Sequence, residues 1–172
     1  HHVSKTNKES FVMHIKGSCH CRKITFSVDA YAPVPFMRCY CSICRKTAGT
    51  GGHAINLGAK KASLKVEGEA HIKSFHAIRR EGGKEEKSMA ERSFCKHCGT
   101  ALWLYSPEYP ELIHPHAGCI DTDLPVPPST DHNMLESKAN WVKVCTFEGD
   151  RTFDRFGPDS LKEWHEKHDV TN

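Results

Sequence analysis

Apolar and polar residues alternate with a period of two along much of this chain. Phe11, Met13 and Ile15 share one face of an extended segment. After Gly17 the residues Ile24, Phe26 and Val28 repeat the pattern, with Thr25 and Ser27 opposite. The pattern predicts two strands joined around Gly17-Ser18-Cys19-His20-Cys21. Residues 31–35 (YAPVP) read as a turn or edge segment, because proline cannot donate to a ladder. Residues 42–47 predict a short helix, with Ser42 as its cap and Gly49 as its stop. Residues 54–57, 64–66 and 72–78 are strand candidates, and the charged stretch 79–88 (RREGGKEEKS) reads as a loop. Residues 101–105 and 111–117 predict strands around Ser106-Pro107, and 121–133 a proline-rich loop. A last short strand is expected at 141–147 and an amphipathic helix at 161–168. Many short strands and few helices predict a mainly β fold.

A length of 172 residues fits one domain with a real core, although the hydrophobic fraction of 38% is low. Metal crosslinks would supply part of the missing stabilisation. Residues 1–12 read as a tag remnant (His1-His2) and a loose polar arm, 13–147 as the structured domain, and 148–172 as a C-terminal extension with a short helix. No apolar run approaches the ~18 residues of a membrane span, and no signal-peptide core opens the chain. The expectation is a soluble cytoplasmic protein with no membrane partner, in a compartment that keeps thiols reduced.

The nine cysteines carry the chemistry. Their odd number leaves one over in any all-disulfide scheme, and their spacings are those of metal ligands. Cys39, Cys41 and Cys44 place three sulfurs in six residues, more than packing asks of one turn. Three soft donors converging on one divalent cation is the natural use of such a run. Three protein ligands on zinc, rather than four, also leave a position open for chemistry. Cys19 and Cys21 project to one face of an extended segment as a pincer. Cys95-Lys96-His97-Cys98-Gly99 has the form of a zinc knuckle, in which Gly99 permits the tight turn. The two pincers together make a closed four-sulfur structural site. Spacing equally allows Cys39 and Cys41 to join Cys95 and Cys98. It also allows two purely structural zincs, one of them closed by His20, His53, His97, His114 or His116. Cys119 and Cys145 read as small buried residues, and Trp103 and Trp141 as core. Arg45 and Lys46, beside the three-cysteine run, suit a ligand carboxylate. The formal charge of +3 assumes neutral thiols, and seven thiolates with two Zn²⁺ would cancel it. With Lys and Arg scattered rather than striped, no nucleic-acid partner is expected.

Gly17-Ser18-Cys19-His20-Cys21, Cys39-Tyr40-Cys41-Ser42-Ile43-Cys44-Arg45-Lys46 with Gly49, and Arg92-x-Phe94-Cys95-x-x-Cys98-Gly99-Thr100-x-Leu102 together resemble the glutathione-dependent formaldehyde-activating enzyme family, which includes centromere protein V. Gly118-x-Ile120-Asp121 and the stretch from His132 through Ser137-Lys138-Ala139-Asn140-Trp141 resemble its closing motifs. The likeness runs over about residues 13–144. Two features depart from it: Arg22 stands where the family usually has glycine, and the tail beyond Phe147 is particular to this chain.

The resemblance implies small zinc-tied antiparallel sheets, the Mss4-like or β-tent fold, with 13–147 as its zinc domain. It implies a structural zinc on Cys19, Cys21, Cys95 and Cys98 and a catalytic zinc on Cys39, Cys41 and Cys44. It implies glutathione as co-substrate and a carbon–sulfur lyase that forms S-hydroxymethylglutathione; Arg45 and Lys46 are then candidates for its carboxylates, with a solvated surface role as the alternative. Three thiolates make zinc a poor activator of water and a good holder of a fourth soft ligand. A thiol so held is deprotonated and ready to add to an electrophile, or to leave when a C–S bond breaks. The cysteines are then ligands and the substrate sulfur is the nucleophile. Two other readings compete: a relative acting on a different small biosynthetic or detoxification substrate, and a zinc-stabilised binding module. The chain has no long basic or proline-rich arm of the kind such a module would use.

Overall fold

The computed structural model describes residues 12–31 and 36–157. His1-His2, the arm at 3–10, Phe11, residues 32–35 and the helix expected at 161–168 lie outside them.

Strands β1 (Val12–Ser18) and β2 (Thr25–Tyr31) pair antiparallel, with Ile15 opposite Val28 and Gly17 opposite Phe26. Every second residue of β2 is buried, as the alternation predicts. There follow β3 (Phe36–Cys39), helix α1 (Ser42–Ala48), β4 (Ala54–Asn56), β5 (Ala59–Lys60), β6 (Lys65–Glu67), β7 (Ile72–Glu81), β8 (Lys84–Cys95), β9 (Ala101–Tyr105), β10 (Leu112–Pro115), β11 (Thr130–Asn133) and β12 (Arg151–Thr152). Eight strands form one antiparallel sheet in the order β1-β2-β5-β10-β9-β8-β7, with β6 branching from β2. The rest form a four-stranded sheet, β12-β11-β3-β4, in which β11 runs parallel to both neighbours. Among the described residues the fold is mainly β with one α-helix. No helix among the described residues is long and apolar enough to cross a membrane.

The core lies against the large sheet. Ile15, Ile24, Phe26, Val28, Leu102, Trp103 and Ile113 are buried there, and Phe26 meets Trp103 edge to face at 5.2 Å between centroids. Such a pair adds about 0.5–1.5 kcal/mol to the area it buries.

Several expectations change. The stretch 79–88 is not a loop: it is the tip of the β7–β8 hairpin, turned by Gly82 and Gly83, both at positive φ (57° and 75°) between paired Glu81 and Lys84. Two such residues make the tight loop whose twist matches the strands. Its charges stabilise the arm in cross-strand pairs, Arg79 opposite Glu86 and Arg80 opposite Glu85, the latter joined at 2.9 Å. Within the expected loop 121–133 lies β11, whose four polar residues are all buried. Residues 141–147 do not form a strand. Trp141, expected in the core, is 61% exposed, and Phe147 is also exposed. Cys145 is exposed rather than buried, whereas Cys119 is buried as expected. Strand β12 lies beyond Phe147 and completes the small sheet.

Candidate functional site

Cys39 ends β3, where it pairs with Ala54 of β4 on one side and Asn133 of β11 on the other. The chain then turns into α1. Cys41, not Ser42, caps this helix: its Sγ accepts from the backbone N–H of Cys44 at 3.3 Å. Cys44 sits one turn in and is buried, and Gly49 closes the helix with its N–H on the Arg45 carbonyl. A strand end, a cap and a first helical turn thus bring three sulfurs within 4.8 Å of one another. Among the described residues no fourth His, Cys, Asp or Glu joins them. His20, His53, His97, His114 and His116 stand outside both sulfur groups.

The second group unites Cys19 and Cys21, from the β1–β2 connection, with Cys95 and Cys98, from the β8–β9 turn, again within 4.8 Å. Cys21 Sγ lies 3.6 Å from Cys19 Sγ and 3.7 Å from Cys95 Sγ. The His97 N–H donates to Cys95 Sγ at 3.4 Å, and Thr100 Oγ1 lies 3.2 Å from Cys98 Sγ. Gly99 turns the knuckle at φ 76°. Of the partitions that spacing allows, the chain assembles 19/21/95/98 and 39/41/44.

Both groups suit a soft, thiophilic cation of the zinc type, closed in the four-sulfur case and open in the three-sulfur case. In the three-sulfur group, hydrogen bonds from Cys39 and Cys41 hold the Cys44 thiol well below the ordinary range against its burial, and the nearby Arg92 guanidinium helps. Cys39 is driven upward, first by its bonds to Cys41 and Cys44 and then by burial. Within the group, the surroundings therefore favour the thiolate form at Cys44 over Cys39. Around Cys98, burial opposes ionisation, but hydrogen bonds from Thr100 Oγ1 and from backbone N–H groups bring that thiol down to about 5. Cys119 is different: burial lifts it to about 12, and its S–H rests on the carbonyls of Leu102 and His116. It is an inert core residue.

Two side chains whose approach to Cys44 no motif spacing reveals, Arg92 and Asn56, donate to its sulfur. Arg92 Nη2 donates to its Sγ at 3.4 Å while Nη1 reaches Thr47 Oγ1 at 3.3 Å. Asn56 Nδ2 lies 3.8 Å from the same sulfur, and its Oδ1 accepts from His116 Nδ1 at 2.9 Å. Burial lowers His116 to about 4, so it stays neutral and fixes the Asn56 amide. Arg92 is 48 positions from Cys44, and no local pattern links them.

Just after β3, Tyr40 joins a polar chain. Its hydroxyl lies 2.8 Å from His132 Nδ1, and His132 Nε2 lies 3.0 Å from Asp150 Oδ2. The His132 bond holds Asp150 below the usual carboxylate range. Arg45 on α1 is half-buried, with a buried Nε that has no hydrogen-bond partner, and Lys46 is exposed.

The family described as glutathione-dependent formaldehyde-activating enzyme matches residues 14–137. A Halomonas elongata protein provisionally named glutathione-dependent formaldehyde-activating enzyme is 48% identical over 153 residues, which is 89% of this chain and 95% of that protein. The crystal structure of a Rhodobacter sphaeroides protein superposes with a TM-score of 0.48 at 25% identity, covering 64% of this chain and 92% of the other. On the extent of the first two matches, this chain belongs to the glutathione-dependent formaldehyde-activating enzyme family.

Proposed function

We propose that this protein is a zinc-dependent carbon–sulfur lyase working on a glutathione adduct. The observation that carries the reading is the three-sulfur group itself, open to a fourth ligand and backed by Arg92 and Asn56. Cys39, Cys41 and Cys44 would hold the catalytic zinc, and Cys19, Cys21, Cys95 and Cys98 a structural one. Bound to three thiolates, zinc supplies a soft Lewis-acid position that favours the thiolate form of an incoming thiol. In the forward direction the glutathione sulfur bonds to the aldehyde carbon, and the thiol proton ends on the carbonyl oxygen, giving a hydroxymethyl thioether. The reverse step returns that proton to the departing sulfur.

The chain's own residues have distinct parts in this. Arg92 and Asn56 direct N–H groups at Cys44 Sγ, which damps its negative charge and fixes its direction. Arg45 and Lys46 on α1 offer cationic partners for the tripeptide carboxylates, and the orphaned Arg45 Nε supports that use. Elsewhere Ser18, Asp121 and the Cys19 turn fasten the structural cluster to β1.

The test is magnetisation exchange by NMR between glutathione and its formaldehyde adduct. Protein with two equivalents of zinc should speed the exchange, and Cys41→Ala with one equivalent left should not. Full acceleration by zinc-stripped protein would end the proposal.

A further inference from the structure

Three buried side-chain polar atoms among the described residues have no hydrogen-bond partner: Arg38 Nε, Arg45 Nε and Asn133 Oδ1. They are not scattered. Arg38 immediately precedes Cys39, Arg45 immediately follows Cys44, and Asn133 is paired in register with Cys39. A buried acceptor without a partner is uncommon in a native protein and asks for an explanation.

Asn133 is the most enclosed of the three, at 2% exposure. It ends the buried polar strand Thr130–Asn133, in which the Asp131 and His132 side chains are engaged. Asp131 accepts two bonds from Arg151, at 2.9 and 2.8 Å, and His132 bridges Tyr40 and Asp150. The backbone of Asn133 is also used, since its carbonyl accepts from the Tyr40 N–H at 3.0 Å. Its carboxamide oxygen is buried without a partner.

The register says where it lies. Residues paired across two strands put their side chains on the same face, about 4.8 Å apart along the sheet. Asn133 and Cys39 are such a pair, and Ala54 is paired with Cys39 on its other side. The face carrying the three sulfurs therefore presents one small methyl and one polar carboxamide beside Cys39. A carboxamide in that place reaches atoms within a bond or two of a sulfur held at the cluster. The charged ends of a tripeptide thiol lie several bonds away, toward Arg45 and Lys46.

We infer that Asn133 is a specificity-determining contact for the electrophile half of the adduct: its Oδ1 accepts a hydrogen bond from the hydroxyl on the carbon bonded to the substrate sulfur. This rests on the glutathione-adduct reading above and narrows it. The site then prefers adducts of the S–C–OH type, formed from aldehydes, over thioethers lacking the hydroxyl. A site built to hydrogen-bond a ligand hydroxyl discriminates against the analogue without it, because its own buried group is then left unpaired.

Calorimetric binding to the zinc-loaded full chain tests this with three ligands: glutathione, S-methylglutathione, and the hydroxymethyl adduct formed from glutathione and excess formaldehyde. Wild-type protein should bind the adduct on the order of ten- to a hundredfold more tightly than S-methylglutathione. Asn133→Leu, close in volume, should erase that preference while retaining two zincs and glutathione affinity within about threefold. Retention of the preference by Asn133→Leu overturns the inference, as does a parallel loss of glutathione binding. Where Asn133→Leu does not fold, equal wild-type affinity for adduct and thioether overturns it equally well. Wild-type protein that binds none of the three ligands refutes the glutathione reading itself, a result distinct from loss of the hydroxyl preference alone.

Discussion

Arg92→Met is the most direct probe of how the protein tunes its open sulfur cluster. The substitution keeps the unbranched stem of Arg92 and removes the two donors that reach Cys44 Sγ (3.4 Å) and Thr47 Oγ1 (3.3 Å). A hydrogen bond to a charged partner contributes about 1.5–3 kcal/mol. Arg92 is half-buried, so solvent screening places this one at the lower end, about 1.5 kcal/mol. That is about tenfold in an equilibrium constant, within the 10–100-fold loss usual when a residue behind a metal ligand is removed. The expected result is a roughly tenfold weaker zinc affinity at the three-sulfur cluster, measured by competition with a chromophoric chelator. The four-sulfur cluster is the internal control, since Arg92 contacts none of its sulfurs through a hydrogen bond shown here. Arg92→Lys, which keeps the charge and loses the fork, should fall between wild type and Met. An unchanged first dissociation step, or an equal loss at both clusters, would refute the claim that Arg92 acts on Cys44.

Four further outcomes follow from geometry. Arg22 is held at φ 62°; relief of the left-handed strain exceeds glycine's entropic cost, so Arg22→Gly should raise Tm by about 1–2 °C in a calorimetric scan. His116 titrates near 4 folded against 6.5 unfolded because burial disfavours its charge. Below pH 6.5 the unfolded chain therefore binds the extra proton, and the stabilisation, complete above that pH, falls by about 3 kcal/mol as pH approaches 4. The difference in urea-unfolding free energy between wild type and His116→Gln should show that slope, and a pH-independent difference would contradict it. A Cβ on Gly49 would approach the Ala54 backbone nitrogen to 2.6 Å and the His53 carbonyl more closely still, so Gly49→Ala should cost about 2–3 kcal/mol in urea. Gly51→Ala, with open space around it, should stay within about 0.5 kcal/mol. A chain ending at Phe147 loses Asp150 and Arg151, leaving buried Asp131 and His132 without those partners. It should hold zinc at the four-sulfur cluster but lose it from the three-sulfur one, as read by metal analysis after dialysis.

The large sheet was legible where burial is one-sided. Ile24, Phe26 and Val28 alternate because the other face of β2 is not packed into the core, and period two is how that condition appears in a sequence. The inner part of β7 was legible as the strand expected at 72–78, but the hairpin's outer half at 79–88 was not, because it buries little and is held by ladders and opposed charges that look like a solvated loop. Strand β11 failed for the opposite reason: it is wholly buried yet polar, so neither alternation nor an apolar run marks it. Trp141 read as core from its type alone, but it lies on an exposed loop. The cysteine groups were legible because their spacings are those that a shared cation asks of its ligands, and the fold brings each set of sulfurs within 4.8 Å. The donors behind them were not, since Arg92 and Asn56 come from strands that reach Cys44 only through the tertiary fold.

The two sulfur groups are supported by different physics, and this separates stapling from chemistry. In the large sheet β2 and β9 are kept apart by β5 and β10, yet the turns that precede β2 and β9 bring four sulfurs within 4.8 Å. Two of those cysteines, Cys19 and Cys95, belong to the main apolar core with Ile15, Ile24 and Leu102. A cation there reinforces a shape that packing already favours. The three-sulfur group stands on the small sheet, which has only a modest apolar cluster of its own around Cys39, Cys44 and Ala54. Directional bonds take the place of packing: Asp131 with Arg151, and Asp150 through His132 to Tyr40, between the two cysteines. Apolar contacts tolerate sliding, whereas a hydrogen-bonded chain fixes orientation as well as distance. Under the proposed function, three ligands that leave a fourth position usable would need that orientation more than burial, which would account for a polar strand buried beside them.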